Sequence, residues 1–203
     1  IDLHTGQTFT LNAAQCGFGY RDSVFKHTPA GETGLGLAGR AVITRVRFWL
    51  PKPWKPVLGY ADLERKMAET GCTNPDARQI FDWVCAIRRA KLPDPAVIGN
   101  AGSFFKNPTV SVEQCADIIA REPKVVHYPM ADGSIKLAAG WLIDACGWKG
   151  RGVGNAGVYE KQALVLVNRG GATGGEVMTL AKAIQTSVYE RFGILLEPEP
   201  VVV

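Results

Sequence analysis

Residues 91–108, KLPDPAVIGNAGSFFKNP, hold the features that decide how this chain is organised. The first part, LPDP, ends a helical pattern, because proline cannot continue a helix and restricts the residue before it. The second part places the hydroxyl of Ser103, the amine of Lys106 and the amide of Asn107 close to glycines. Glycine lets a backbone approach a ligand closely. The stretch therefore predicts a domain boundary followed by a ligand-binding loop.

The composition is that of a globular protein. The 203 residues are 46% hydrophobic and 21% charged, enough for one large domain or two small ones. There is no apolar run near the roughly 18 residues of a membrane-spanning helix, and the N-terminus has no signal-peptide pattern. The sequence predicts a soluble, cytoplasmic protein with no membrane partner.

The distribution of charge limits the expected class of ligand, and the spacing of cysteines and histidines argues against a metal site. The net charge of +4 comes from basic residues spread among 19 acidic ones, which suits a small polyanionic ligand at least as well as nucleic acid. Since stacking motifs are also missing, we expect no nucleic-acid partner. The five cysteines and three histidines are scattered without zinc spacing, so we expect reduced, mostly buried thiols and no metal.

Two strands are predicted in the first part of the chain. Residues 8–11 and 39–50 have strand-like composition, and the second segment alternates two sets of side chains. Residues 27–39, HTPAGETGLGLAG, connect them as a mobile loop or hairpin tip. The GxGxxG matches beginning at Gly34 and Gly152 run into strand-like sequence instead of a helix, which argues against a dinucleotide site.

Capping residues indicate where helices begin in the rest of the sequence. Asn74 with Pro75 predicts the start of a helix that runs to Lys91. Capping-box pairs precede two further amphipathic helices, and a short helix and a strand complete an α+β unit. The cap pairs are Ser111 with Gln114 and Thr173 with Glu176; the short helix is at 139–146 and the strand at 163–167.

Three polar residues have alternative interpretations. Ser103 lacks the GxSxG elbow, and without a family it is more often a loop hydroxyl than a catalyst. Arg21 is equally compatible with an ordinary surface ion pair to Asp22. Glu199 lies between two prolines, so its carboxylate is either aimed by a stiff segment or part of a tail.

Five motifs follow one another along the chain: AAQCGFGYRDSVFK, KLPDPAVIGNAGSFFKNP, YPMADGSIKLAAGWLID, YEKQALVLVN and LLEPEP. In this order they resemble the type I UDP-N-acetylenolpyruvoylglucosamine reductases of peptidoglycan synthesis. The resemblance covers almost the whole chain.

The resemblance implies an NADPH-dependent flavin oxidoreductase of cell wall biogenesis, and hence a role in cell shape and division. Such an enzyme reduces the enolpyruvyl ether of UDP-N-acetylglucosamine to UDP-N-acetylmuramate, with FAD as cofactor and NADPH as co-substrate. No obligate protein partner is implied.

The resemblance also assigns roles to residues. Ser103, Arg21 and Glu199 are implied to be catalytic. Tyr60, Lys91, Asn107 and Gln162 are implied to bind the nucleotide sugar, with Tyr128 and Lys136 in the same pocket. Tyr20 and Arg88 are implied to contact the FAD.

The implied fold is α+β: part of the antiparallel sheet of an FAD domain, then an α+β substrate-binding domain. The implied domains are 1–91, the C-terminal part of the FAD-binding domain; 92–196, the substrate-binding domain; and 197–203, the tail with the active-site glutamate. Because family members begin with a flavin-binding region that precedes Ile1, we expect a fragment with weak or absent FAD and no activity alone. The alternative function is a non-catalytic nucleotide-sugar-binding module.

Overall fold

The computed structural model describes residues 1–28 and 36–202, which divide into two compact units, Ile1–Lys55 and Pro56–Val203. Helices combine with antiparallel sheets, so the predicted α+β class is confirmed. The loop predicted at 27–39 and the motif beginning at Gly34 fall partly outside the described residues. The domain boundary predicted after Lys91, between the FAD-binding and substrate-binding parts, stays a prediction.

The first unit consists mainly of irregular backbone. Its described regular elements are helix α1, Ala13–Cys16, and a 3₁₀ turn, Val24–Lys26. The strands predicted at 8–11 and 39–50 are wrong: the described backbone there forms only the isolated bridge between Asp2 and Ala41. Alternation gives a segment two faces, but a strand also needs a neighbour for its backbone groups. Residues 43–50 are instead exposed, with Trp49 90% accessible.

Five helices lie in the described part of the second unit. The helix predicted to begin after Asn74 begins at Ala77 instead, because Asp76 and Gln79 form a reciprocal capping box there. The other predicted caps are occupied by Ser111 and Thr173. The helices are α2 (Ala61–Thr70), α3 (Ala77–Lys91), α4 (Val112–Arg121), α5 (Ala139–Ala145) and α6 (Gly174–Phe192).

Seven strands form two antiparallel sheets in the described part of this unit. One sheet has the order β1-β7-β6-β5 and the other β2-β4-β3. The strand predicted at 163–167 forms slightly later, as β7. The strands are β1 (Gly99–Ser103), β2 (Thr109–Val110), β3 (His127–Pro129), β4 (Ile135–Leu137), β5 (Gly152–Val153), β6 (Ala156–Val158) and β7 (Val165–Asn168).

One hydrophobic core joins α4, α5 and α6 to these sheets. Leu180 and Ile184 of α6 are fully buried in the same cluster as Leu142 of α5, Phe105 and Leu196. Complete burial of each such side chain stabilises the fold by about 1.5–3 kcal/mol. The core therefore anchors two segments. Phe105 anchors the segment that contains Ser103, and Leu196 anchors the segment that leads to Glu199.

The cysteines are free thiols. Cys16 and Cys115 are buried, whereas the other three are half-buried, so the expectation of mostly buried thiols is only partly met. Burial raises the pKa of the Cys146 thiol, which keeps it protonated at neutral pH. In residues 1–28 and 36–202, none of the helices is both long and apolar enough to cross a membrane.

Candidate active site

Ser103 ends strand β1, where the sequence predicts a loop. Gly99 and Asn100 pair with β7, and the register then shifts before Ser103 pairs with Val165. Gly102 allows this bulge, because its φ of +74° lies in the left-handed region that favours glycine. The Asn100 side chain accepts a hydrogen bond from the Gly102 N–H at 3.0 Å. The bulge leaves Ser103 exposed while Phe104 and Phe105 turn into the core.

The C-terminal segment lies directly beside this strand end. The Glu199 N–H donates to the Phe104 carbonyl at 2.8 Å, and the Lys106 N–H donates to the Glu197 carbonyl at 2.9 Å. Phe105 and Pro198 form the bridge between these two bonds. Glu199 therefore has a strand partner within the chain, and that partner adjoins Ser103.

Proline is compatible with this pairing because successive residues of a strand direct their backbone N–H and C=O groups to opposite sides. Glu197 and Glu199 use their backbone groups toward residues 104–106, so Pro198 and Pro200 occupy the positions where this partner needs no N–H. Upstream, Leu196 is fully buried and its carbonyl accepts a hydrogen bond from the Gln185 side chain at 2.7 Å. The segment is thus fixed before Glu199 is reached.

An ion pair spans the same two segments. The Lys106 ammonium lies 2.5 Å from a Glu197 carboxylate oxygen, and Lys106 is the less exposed partner. A partly exposed pair of this kind contributes up to about 1 kcal/mol. Its geometric effect is to hold residues 104–106 against the strand that contains Glu199.

Asn107 and Gln162 converge on the start of α5. The Asn107 side-chain oxygen accepts a hydrogen bond from the Ala139 N–H at 2.9 Å. The Gln162 side-chain oxygen accepts from the Leu164 N–H at 3.3 Å and lies against Gly140, where a Cβ would be 3.2 Å from it. Each amide therefore uses its oxygen within the fold and keeps its NH₂ group as a donor.

Tyr60 and Lys91 are linked by a residue that the sequence analysis did not identify. Tyr60 immediately precedes α2 and is exposed, while Lys91 ends α3. The Lys91 ammonium lies 2.5 Å from a carboxylate oxygen of Asp62, which is only 8% exposed. Arg65 pairs with the other Asp62 oxygen at 2.7 Å.

The charge of Asp62 follows from these contacts. Its hydrogen bond with Lys91 lowers the pKa of the Asp62 carboxyl, and the charge of Arg65 and a bond from Tyr60 act in the same direction. Burial opposes them, but the pKa still lies below its ordinary value. Asp62 is thus an ionised, largely buried carboxylate at neutral pH.

Tyr128 and Lys136 face each other across two paired strands. They are register partners in β3 and β4, and the Lys136 ammonium lies 5.7 Å from the centre of the Tyr128 ring. The tyrosine side is exposed and the lysine half-buried. The pair therefore presents an aromatic ring beside a cation.

The remaining predicted residues lie elsewhere on the chain. Arg21 and Tyr20 belong to the first unit, at the tip of a turn closed by hydrogen bonds between Gly19 and Asp22. Arg21 has φ +54°, an uncommon value for a residue with a side chain. Such strained positions occur at functional sites, which is compatible with the catalytic assignment. Arg88 is exposed on the last turn of α3.

A groove of about 530 Å³ borders the strand that ends at Ser103. It runs between residues 97–99, at the start of β1, and residues 168–171, after β7. The Asn168 side chain shapes this edge by accepting hydrogen bonds from the Gly170 and Ala172 N–H groups. The opposite end of β1 holds Ser103, so the groove and the hydroxyl share one strand.

Comparison with known proteins identifies relatives over the whole chain. The family model of the UDP-N-acetylenolpyruvoylglucosamine reductase C-terminal domain matches residues 94–203. The chain is 59% identical to the UDP-N-acetylenolpyruvoylglucosamine reductase of Paraburkholderia xenovorans (strain LB400), over 99% of this chain and 56% of that protein. It is 57% identical to the protein of the same name from Bordetella pertussis (strain Tohama I), over 100% of this chain and 55% of that protein.

The chain thus spans about half the length of the curated relatives it matches. Among solved structures, it is similar to a crystal structure of UDP-N-acetylenolpyruvylglucosamine reductase from Thermus caldophilus, with 25% identity and a TM-score of 0.37. That similarity covers 70% of this chain and 35% of the other.

Proposed function

The chain belongs to the UDP-N-acetylenolpyruvoylglucosamine reductase family, as its ordered motifs predicted, and we propose that it forms the substrate-binding part of such a reductase. The full reaction would reduce the enolpyruvyl ether of UDP-N-acetylglucosamine to the lactyl ether of UDP-N-acetylmuramate, a peptidoglycan precursor. Within this scheme, residues 92–196 are the substrate-binding domain, residues 197–203 the tail with Glu199, and residues 1–91 part of the FAD-binding domain.

The observation that carries the proposal is the pairing of Glu199 with Phe104. It pairs the backbone of the segment that contains Glu199 with the strand end that exposes Ser103, although 96 positions separate the two residues in the sequence. Buried side chains anchor both segments, which supports a shared role of Ser103 and Glu199 in acid–base chemistry.

The proposed chemistry needs a hydride at the methylene carbon and a proton at the ether-bearing carbon. Reduced FAD, when bound, would supply the hydride and become oxidised, and NADPH would reduce it again. The substrate's carboxylate enolate must then be stabilised by donors, a role that suits the Arg21 guanidinium. Ser103 would deliver the proton to the ether-bearing carbon, and Glu199 would share the enolate's proton or orient its neighbours.

The nucleotide diphosphate would be held by a cation and several neutral donors. Lys91 supplies the charge, while Asn107 and Gln162 supply the NH₂ groups that the fold leaves to them. Tyr60, a largely exposed residue, would close over the same groups. Tyr128 and Lys136 would contact the same ligand through the aromatic ring and ammonium of their cross-strand pair.

Two residues have the chemistry to contact FAD. Tyr20 is 40% exposed and presents an aromatic ring and a hydroxyl. Arg88 is exposed, and its guanidinium makes no hydrogen bond or ion pair with the residues that the structure describes. Stacking and phosphate contacts are the usual uses of these groups, so each has chemistry that suits a flavin dinucleotide.

A second candidate function is a non-catalytic nucleotide-sugar-binding module. It is favoured by the location of Tyr60, Lys91, Asn107 and Gln162, which all lie in the second unit. Arg21 alone among the proposed catalytic residues lies in the first unit. In this case the chain would bind the nucleotide sugar without reducing it.

Calorimetric titration tests both proposals. The chain would be titrated with UDP-N-acetylglucosamine enolpyruvate and with UDP at two salt concentrations. Saturable binding that is tighter for the sugar ether would support a working substrate site, and flavin absorbance of the purified protein would separate the reductase from the binding module. A folded sample that binds neither ligand would contradict both functions.

A further inference from the structure

We propose that Asp62 is the positioning residue that orients Lys91 toward the ligand's diphosphate. This inference rests on the proposed function, because it concerns the diphosphate site of the same reductase. None of the roles implied by the family resemblance falls on Asp62. It is nevertheless a largely buried carboxylate in direct contact with a proposed ligand-binding cation.

The contacts of Asp62 join two separate helices. Asp62 lies in the first turn of α2, whereas Lys91 is the last residue of α3, 29 positions later. One carboxylate oxygen contacts the Lys91 ammonium at 2.5 Å and the other contacts Arg65 at 2.7 Å. Both oxygens therefore have a cationic partner, and the carboxylate has a defined orientation.

Lysine benefits particularly from such a partner. Its four-carbon side chain has high rotamer freedom, which a ligand must otherwise restrict when it binds. The Lys91 ammonium has three donors, of which the bond to Asp62 uses one. The Lys91 side chain remains 43% exposed, so its other donors are accessible to a ligand.

The charge of Asp62 would by itself oppose an anionic ligand. Asp62, Lys91 and Arg65 together carry −1, +1 and +1, and removal of the carboxylate would raise their sum from +1 to +2. A purely electrostatic role therefore predicts tighter ligand binding when Asp62 is neutralised. A positioning role predicts weaker binding, and it also predicts weaker binding when the charge is kept but moved.

Positioning of Lys91 by Asp62 must also be distinguished from a purely structural role, in which Asp62 only attaches α2 to α3. Loss of this attachment would lower the stability of the chain and would weaken the binding of UDP and uridine alike. Loss of positioning would affect only ligands with phosphate groups, and only while Lys91 is present. Uridine, which lacks both phosphates, separates these cases.

The experiment compares UDP and uridine binding to the full chain and its variants in 0.5 M salt, where long-range charge effects are screened. The variants are Asp62→Asn, Asp62→Glu, which keeps the charge but moves it by one methylene, and Lys66→Ala as the matched control, which removes a cation of α2 that pairs with Glu69 instead. Each would also be made in a Lys91→Ala background, and urea unfolding would establish that each variant is folded.

We expect both Asp62 variants to weaken UDP binding about three- to tenfold and to leave uridine binding unchanged. Lys66→Ala should have little effect, and most of the Asp62 effect should disappear once Lys91 is alanine. Unchanged or tighter UDP binding by a folded Asp62→Glu protein would overturn the inference alone. Failure of the unmodified chain to bind UDP would overturn the proposed function, and this inference with it.

Discussion

The backbone N–H of Glu199 donates a 2.8 Å hydrogen bond to the carbonyl of Phe104, the residue that follows Ser103. The catalytic pair proposed here is therefore linked through one backbone contact. Since Phe105 and Leu196 are buried on the two sides of that contact, the core holds the two backbone segments together.

Ser103→Ala should abolish turnover in a full-length protein of this family that contains this sequence. The change removes the proposed proton donor but none of the groups that hold the diphosphate, so nucleotide-sugar affinity should stay within about twofold. Steady-state kinetics and calorimetry on the same preparation would measure the two effects. Ser134→Ala, which alters an exposed turn hydroxyl, is the control and should retain activity. A large rise in the dissociation constant of Ser103→Ala would instead indicate a binding role.

Leu196→Ala should lower the free energy of unfolding by about 2–5 kcal/mol, because it leaves a cavity in the core. The adjacent Leu195 is 70% exposed, and Leu195→Ala should change stability by no more than about 0.5 kcal/mol. Urea unfolding of both variants gives the comparison. Equal effects at the two positions would contradict the anchoring of the C-terminal segment described above.

Gly102→Ala should destabilise the chain by about 1–2 kcal/mol, although a Cβ there meets no atom within 4 Å. The cost arises from the backbone, since alanine is strained at a φ of +74°. Gly174→Ala is the matched control: it also meets no atom, but its φ is compatible with alanine and it begins α6. Thermal or urea unfolding would reveal the difference, and similar stabilities would mean that the β1 bulge does not need glycine.

The contribution of Asp62 to stability should depend on pH. Because the pKa of Asp62 is lower in the folded chain than its ordinary 3.8, the unfolded chain binds this proton more readily. The stabilisation is therefore present above about pH 3.8 and is lost as the pH falls through the folded value. Unfolding free energies of the unmodified chain and Asp62→Asn should differ at pH 6 and converge toward pH 2.

The control for that measurement is Asp82→Asn, which breaks an exposed pair with Arg78. This substitution should leave the unfolding free energy nearly unchanged, because exposed ion pairs contribute little. A constant difference between the unmodified chain and Asp62→Asn across the pH range would contradict the assignment of an ionised Asp62–Lys91 pair.

The helices of the second unit could be predicted because their signals are local. Thr173 and Glu176 lie three residues apart and satisfy each other's backbone groups whatever the rest of the chain does. Helix α3 begins two residues later than predicted, and the reason is also local. Asp76 and Gln79 form a reciprocal capping box, which is a better cap than Asn74. Periodicity and capping therefore located these elements to within a few residues.

Features that depend on distant residues could not be predicted in this way. Residues 39–50 have the alternation of a strand but pair only near Ala41, whereas the glycine-rich β1 forms because β7 supplies its partner. Asp62 was missed because its contact with Lys91 crosses 29 positions and no local pattern marks it. Ser103 and Glu199 were associated through the family resemblance, and the physical link between them emerged only with the fold.

The prolines beside Glu199 have a consequence for association between molecules. Pro198 and Pro200 lie where the strand's backbone faces away from residues 104–106, so that edge lacks two amide donors. A strand from another chain that approached this edge would find few hydrogen bonds to complete. The prolines that stiffen the segment around Glu199 therefore also discourage sheet extension and aggregation at this edge.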